Sequence, residues 1–122
     1  MPEIALDHVQ IAAPPDCEAA ARTFFGDLVG LAEIEKPEPL RARGGAWFAL
    51  GRTQLHIGVE ADFEPARKAH VALRLAPADL DALAERLAAA GAPVTWDDAL
   101  PGERRFYSED PWGSRIEFLA RA

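Results

Sequence analysis

The chain has 122 residues, a length that suits one compact domain with a buried core. Twenty acidic and 13 basic residues give a net charge of −7, which argues against nucleic acid or an anionic membrane as partner, because both attract basic surfaces. Cys17 is the only cysteine, which excludes an intramolecular disulfide and a cysteine-based zinc site. The sequence shows neither a signal peptide nor an apolar run long enough to cross a bilayer, so we expect a cytoplasmic protein.

The first half of the chain is predicted to form a strand, a helix and three further strands. Alternating apolar residues stop at Pro14-Pro15, after which Asp16 is a good N-cap for a helix. Pro37 and Pro39 indicate an irregular stretch, and Gly51-Arg52 separates two strands as a tight hairpin. The predicted bounds are 4–12, 31–36, 46–50 and 53–59 for the strands and about 17–25 for the helix.

The second half repeats this order after a polar connector over residues 60–69. Asp79 or Asp81 opens a helix that runs to about residue 90, where Gly91 is a natural stop. The predicted strands are 70–75, 93–96, 105–108 and 115–119, the last two joined around Asp110-Pro111-Trp112-Gly113.

Matching residues of the two halves keep a nearly constant spacing. His8 and His70, Asp16 and Asp79, and His56 and Glu117 lie 61 to 63 residues apart, which indicates an internal duplication. The predicted fold class is therefore α+β. Two βαβββ modules, about 1–60 and 68–122, form one curved mixed sheet with the helices on its outer face.

Four polar side chains take equivalent places on the predicted strands, opposite the apolar residues. Because strand side chains alternate, all three histidines, His8, His56 and His70, face the same side of the sheet as Glu117. Imidazole and carboxylate groups together bind borderline divalent metals, and an open coordination position permits catalysis. A lone strand histidine is more often structural, but four groups at symmetry-matched positions favour a metal site.

The sequence resembles the vicinal oxygen chelate superfamily over essentially its whole length. The motifs that carry the resemblance are Leu6-Asp7-His8-Val9, Phe25-Gly26-Asp27 with Gly30-Leu31, Ala69-His70-Val71-Ala72, Asp79-Leu80-Asp81-Ala82-Leu83 with Leu87, and Asp110-Pro111-Trp112-Gly113-Ser114-Arg115-Ile116-Glu117-Phe118. The superfamily contains glyoxalase I, extradiol dioxygenases, fosfomycin-resistance proteins, methylmalonyl-CoA epimerase and bleomycin-binding proteins. In such proteins two βαβββ modules form a cup with the metal at its floor. The resemblance implies that His8, His70 and Glu117 match ligand positions, with a hairpin residue as the fourth.

The hairpin position departs from the glyoxalase pattern. Glyoxalase I typically carries a glutamate there, whereas this chain offers His56 and Gln54, which share one strand face. The internal repeat favours His56, so that His8, His56, His70 and Glu117 would hold a divalent metal such as Zn, Ni, Mn or Fe. Alternatively only three of the four bind, as a two-histidine, one-carboxylate triad with open positions.

The resemblance implies a glyoxalase-like, metal-dependent lyase, isomerase or dioxygenase. Its small substrate would chelate the metal through two adjacent oxygens, with Glu117 as a ligand or a displaceable base. One alternative is a metal-free, bleomycin-resistance-like protein that binds cationic molecules, against which the retained histidines argue. Another is extradiol ring cleavage with Fe(II) and O₂, although those enzymes are usually longer.

Six further side chains are candidates for the lining of a substrate pocket, although core packing is the more frequent role of aromatic residues. They are Arg43, Trp47, Phe48, Arg105, Tyr107 and Trp112. Arg43 lies beside Gly44-Gly45, a setting in which an arginine can bind an anion. The resemblance also implies a homodimer, with the cup formed within one chain or completed by the partner.

Overall fold

The computed structural model describes residues 2–122, and its elements follow the predicted order. The strands are β1 (His8–Ala13), β2 (Glu33–Ile34), β3 (Ala46–Leu50), β4 (Thr53–Val59), β5 (Val71–Arg74), β6 (Thr95–Asp97), β7 (Glu103–Glu109) and β8 (Arg115–Arg121). The helices are α1 (Glu18–Ala21), which continues as a π-helical segment over Arg22–Leu28, α2 (Glu38–Arg41) and α3 (Pro77–Ala89). Both halves are therefore βαβββ modules, and the predicted α+β class is confirmed.

Each module forms its own four-stranded mixed sheet. The strand order is β1-β4-β3-β2 in the first sheet and β5-β8-β7-β6 in the second. In both sheets the first strand of the module pairs in parallel with the last, and the remaining pairs are antiparallel. The chain divides into two compact units, one ending at Glu64 and the other beginning at Pro65, inside the predicted connector.

The helix of the first unit differs from its prediction. Asp16 has a left-handed φ of 64°, and the N-cap position is held by Cys17 without a side-chain hydrogen bond. After one α-helical turn the backbone widens into the π-helical segment, where the amide of Val29 donates to the carbonyl of Phe24 at 2.9 Å. Both Phe24 and its neighbour Phe25 are buried by this segment, so the helix continues beyond the predicted end.

Two other differences in the first unit have simple causes. The predicted strand over 4–12 begins only at His8, because β4 starts at Thr53 and its register pairs His8 with Gln54. The stretch after Pro37 is a short helix instead of an irregular segment, because a proline in the first turn removes no helical hydrogen bond.

The second unit packs helix α3 against its sheet. The predicted apolar stripe is buried on this helix, at Leu80, Leu83, Ala84 and Leu87. The helix begins at Pro77, earlier than either predicted aspartate cap, because proline has a backbone angle suited to the first helical position. Among residues 2–122, no helix is long and apolar enough to cross a membrane.

Candidate metal and substrate site

His8 and His56 lie face to face on neighbouring strands of the first unit. Their ring centroids are 4.2 Å apart and their planes differ by 18°. Trp47, directly opposite His56 in the pairing of β3 with β4, stacks on the other face of His56 at 3.8 Å and 3°. His56 is therefore buried between an indole and a second imidazole, whereas the side chain of His8 is 45% exposed.

Hydrogen bonds define which nitrogen of each ring carries the proton. Nδ1 of His8 lies 2.9 Å from a carboxylate oxygen of Asp7, so Nδ1 donates and, when the ring is neutral, Nε2 carries the lone pair. Nε2 of His56 lies 2.8 Å from the amide oxygen of Gln54, which can only accept. Burial, and then the charge of His8, lowers the pKa of His56, so this ring is neutral at physiological pH.

In the second unit Glu117 and His70 form a close pair. Glu117 is buried on β8, and its Oε1 lies 3.1 Å from Nε2 of His70. Nδ1 of His70 lies 2.9 Å from the carbonyl oxygen of Lys68, to which it must donate. The neutral ring therefore turns a lone pair toward a carboxylate oxygen. Two acceptors at this distance repel each other unless a cation, either a proton or a metal ion, lies between them.

Arg105 and Tyr107 border Glu117 on the neighbouring strand β7. Tyr107 is the direct cross-strand partner of Glu117, and its ring meets His70 edge-on at 5.7 Å. Nη1 of Arg105 lies 3.6 Å from Glu117, and Nη2 lies 3.1 Å from Asp97. Nε of Arg105 is buried without a hydrogen-bond partner among the described residues, which leaves one oriented donor beside the carboxylate.

Three of the four predicted ligands have the chemistry of a metal site. In His8 and His70 an oxygen acceptor holds Nδ1 and directs Nε2 outward, as outer-shell acceptors commonly do for metal-binding histidines. Glu117 adds a buried carboxylate at Nε2 of His70. Within residues 2–122, no group of three or more His, Cys, Asp or Glu side chains lies close enough together to hold a metal ion.

His56 fits the ligand role less well than the sequence predicts. Imidazole coordinates a metal in the plane of its ring. The rings of His56 and His8 are stacked with planes that differ by only 18°, so in-plane coordination of one ion by both rings is unfavourable. The two sequence candidates for this position, His56 and Gln54, are hydrogen-bonded to each other. In this arrangement they support the ring of His8.

The predicted pocket residues are divided among several clefts. Tyr107 and Trp112 line a cleft of about 490 Å³ in the second unit, and Arg105 lines another of about 300 Å³. In the first unit Arg43 and Trp47 line a cleft of about 170 Å³.

Phe48 is placed differently from the other five candidates. It is fully buried and lies 5.9 Å from Phe25, so it belongs to the core of the first unit instead of a pocket wall. Its neighbour Trp47 takes the opposite sheet face, because side chains alternate along a strand.

Sequence reasoning missed three groups that contact the site. Arg115 could have been found from the sequence, because it lies two positions before Glu117 on one strand and its side chain therefore lies on the same face. Asp7 adjoins His8 in the sequence, but its orientation is fixed only by the folded backbone. The carbonyl of Lys68 has no sequence signal, since any residue supplies one.

The chain has two βαβββ modules with imidazole and carboxylate groups on their strands. This places it in the class of vicinal oxygen chelate proteins. Residues 8–119 match the family described as Glyoxalase-like domain, and the chain belongs to this family. A solved structure of a glyoxalase family protein from Bacillus anthracis shares 44% sequence identity with a TM-score of 0.92, covering 100% of this chain and 98% of that one.

More distant solved structures share the fold. A glyoxalase/dioxygenase from Nostoc punctiforme has 21% identity and a TM-score of 0.79, covering 97% of this chain and 91% of its own. A mutant fosfomycin resistance protein from Listeria monocytogenes, complexed with Mn(II) and 1S,2S-dihydroxypropylphosphonic acid, has 18% identity and a TM-score of 0.78, covering 97% and 92%. No curated protein sequence matches the chain.

Proposed function

We propose that this chain is a metal-dependent enzyme of the lyase, isomerase or dioxygenase type, acting on a small substrate that chelates a divalent metal through adjacent oxygens. His8, His70 and Glu117 are the proposed ligands. The observation that carries the proposal is the position of Nε2 of His70, which lies 3.1 Å from the buried carboxylate of Glu117 while Nδ1 donates to a backbone carbonyl. A divalent cation resolves this contact between two acceptors and also suits the free Nε2 of His8.

The stacking of His56 on His8 favours a triad over a set of four ligands. Two histidines and one carboxylate leave open coordination positions, which a chelating substrate requires. His56 then acts as a positioning residue, held between Trp47 and His8 and oriented by Gln54. Its neutral state keeps a second positive charge away from the metal.

When bound, the metal supplies Lewis-acid stabilisation for the negative charge that develops on a substrate oxygen. The residues around it orient the substrate and hold protons. Arg105 holds one carboxylate oxygen of Glu117 through its charge. Glu117 serves as a ligand, or as a base once displaced. The ring of Tyr107 packs edge-on against His70 and limits its movement.

Metal binding to untagged protein tests the proposal. After treatment with a chelator, the protein is dialysed against Mn(II), Zn(II), Ni(II) or Fe(II), and bound metal is measured by elemental analysis. Mn(II) is tried first because it is present in the Listeria fosfomycin resistance protein. We expect one metal ion per chain, and at least a ~10-fold weaker affinity for the Glu117→Gln and His70→Ala variants, because each removes a direct ligand.

Glu103→Gln is the matched control. Glu103 also lies on a strand of the second unit and pairs with an arginine, Arg74, at 2.8 Å, but it is no candidate ligand. Its removal should leave metal affinity unchanged. Wild-type protein that takes up none of the metals, or a Glu117→Gln variant that binds as tightly as wild type, would contradict the proposal. Oxygen uptake with catechols then separates ring cleavage from lyase or isomerase chemistry.

A further inference from the structure

A cleft of about 490 Å³ opens on the second unit beside strands β7 and β8. This volume is within the range of small-molecule sites. Its lining combines the aromatic surfaces of Tyr107 and Trp112 with the charged side chains of Arg67, Glu109 and Arg115.

Two arginines of this cleft form no salt bridge with a carboxylate, although the charge of Arg115 acts on Asp97 from a greater distance. None of the salt bridges among the described residues includes Arg67 or Arg115, although five other arginines of the chain are paired with acids. Glu109 is the one carboxylate in the lining and forms no ion pair with either arginine. In a chain with a net charge of −7, two unpaired guanidinium groups in one cleft form a local site for an anion.

The backbone holds these groups in place. The amide of Arg115 donates to the carbonyl of Ala66 at 2.9 Å, and the amide of Ala66 donates to Oγ of Ser114 at 3.2 Å. These two bonds fasten the segment that carries Arg67 to the start of β8. The guanidinium carbon of Arg115 lies 3.8 Å above the ring of Tyr107, which limits its movement.

A buried carboxylate orients the apolar wall of the cleft. Oδ1 of Asp110 accepts hydrogen bonds from the amides of Trp112 at 3.1 Å and Ser114 at 2.9 Å. The turn that carries Trp112 is therefore fixed, and the preorganised cleft loses little entropy when a ligand binds.

We propose that this cleft binds the carboxylate or phosphonate group of a small acid whose apolar body lies against Trp112. Guanidinium groups bind such oxyanions through paired hydrogen bonds, and the indole covers an apolar or aromatic portion. Tyr107 connects the cleft with the proposed metal site, because its ring also contacts His70. The assignment of this acid as the substrate rests on the proposed function, whereas its binding does not.

Calorimetric titration of chelator-treated protein tests the binding without metal. The probes are phenylacetate and phenylphosphonate, with phenylacetamide as the uncharged match for the first. We expect the anions to bind at least ~10-fold more tightly than the amide, because hydrogen bonds between charged groups are stronger than those to a neutral amide. Whichever of the two anions binds more tightly shows whether the cleft prefers a carboxylate or a phosphonate group. The amide and indole resonances of Trp112 should shift on titration with either anion.

Arg115→Met and Arg67→Met should each lose most of the preference for the anions. Arg52→Met removes the same charge from an exposed hairpin turn outside the cleft and should keep it. Arg115→Lys should retain part of the preference, because it keeps the charge but not the paired donors.

Equal affinity for phenylacetate and phenylacetamide would overturn the proposal. Retained preference in Arg67→Met would do so as well, and this variant decides the matter if Arg115→Met fails to fold, because Arg67 lies on an exposed segment. Since no metal is present, these results are independent of the metal-binding test.

Discussion

Asp110 is the residue whose ionisation should most visibly affect stability. It is 4% exposed, and its Oδ2 is buried without a hydrogen-bond partner among the described residues. Burial raises the pKa of Asp110 from 3.8 to about 6, because its effect is larger than that of the backbone amides of Ser114 and Trp112, whose hydrogen bonds lower the pKa. The folded protein therefore holds the proton of this carboxyl more tightly than the unfolded chain does.

The size and sign of the effect follow from the two pKa values. A group whose pKa is raised on folding contributes stability below its unfolded pKa, near 3.8, and loses that contribution as the pH rises through about 6. At about 1.4 kcal/mol per pH unit, the loss between these values is about 3 kcal/mol. The native state should therefore bear this cost at neutral pH.

Urea denaturation of wild type and Asp110→Asn at intervals from pH 4 to pH 8 measures the effect. Asparagine keeps the oxygen that accepts the amides of Trp112 and Ser114, but it cannot ionise. The free energy of unfolding of the variant, relative to wild type, should increase as the pH rises from 4 to about 6.5 and then become constant. If the asparagine side chain itself changes the free energy of unfolding by a constant amount, this amount is the same at every pH and does not alter the predicted pH dependence.

Asp81→Asn is the control of opposite sign. The hydrogen bond with Arg104 lowers the pKa of Asp81, so wild type should gain stability over this variant as the pH rises through the acidic range. A difference between wild type and Asp110→Asn that is independent of pH would refute the reasoning. A difference that follows the Asp81 pattern would show that the backbone amides dominate over burial.

Three further predictions concern the first unit and helix α3. His56→Ala should weaken metal affinity through loss of the stack on His8, and Gln54→Ala should have little effect; the reverse result in metal titrations would identify Gln54 as the ligand. Burial, and then the neighbouring Glu18, raises the pKa of Cys17 to about 11. Cys17 should therefore react with Ellman's reagent only on unfolding, and rapid labelling of native protein would contradict this. Leu83→Ala should cost about 2–5 kcal/mol in urea denaturation, because Leu83 is fully buried; a loss below 1 kcal/mol would indicate that helix α3 packs loosely.

The sequence predicted best where alternation and turn chemistry agree. Strands β3 and β4 match their predicted bounds residue for residue, because alternating apolar residues flank a glycine-containing turn. It predicted least where one element depends on another. The start of β1 is set by the start of its parallel partner β4, and the π-helical segment Arg22–Leu28 is set by the burial of two adjacent phenylalanines.

For the candidate site, the sequence indicated the correct strand faces but not the contacts between strands. Glu117 faces His70, as the alternation of side chains along β8 predicts. Trp47 and Phe48 were both pocket candidates, although alternation allows only one of two neighbours on a face, and Phe48 lies in the core. The stack of Trp47, His56 and His8 depends on the register of three strands. No periodicity in a single segment contains that information.

The parallel pairing of each module's first and last strands has a kinetic consequence. Strand β1 can complete its ladder only after β4 has been formed, and β5 waits in the same way for β8. Chain closure over such separations is slow compared with hairpin formation. We therefore expect the β3–β4 and β7–β8 hairpins to form early during refolding, and the outer parallel strands to join last, so that substitutions in β1 or β5 chiefly accelerate unfolding.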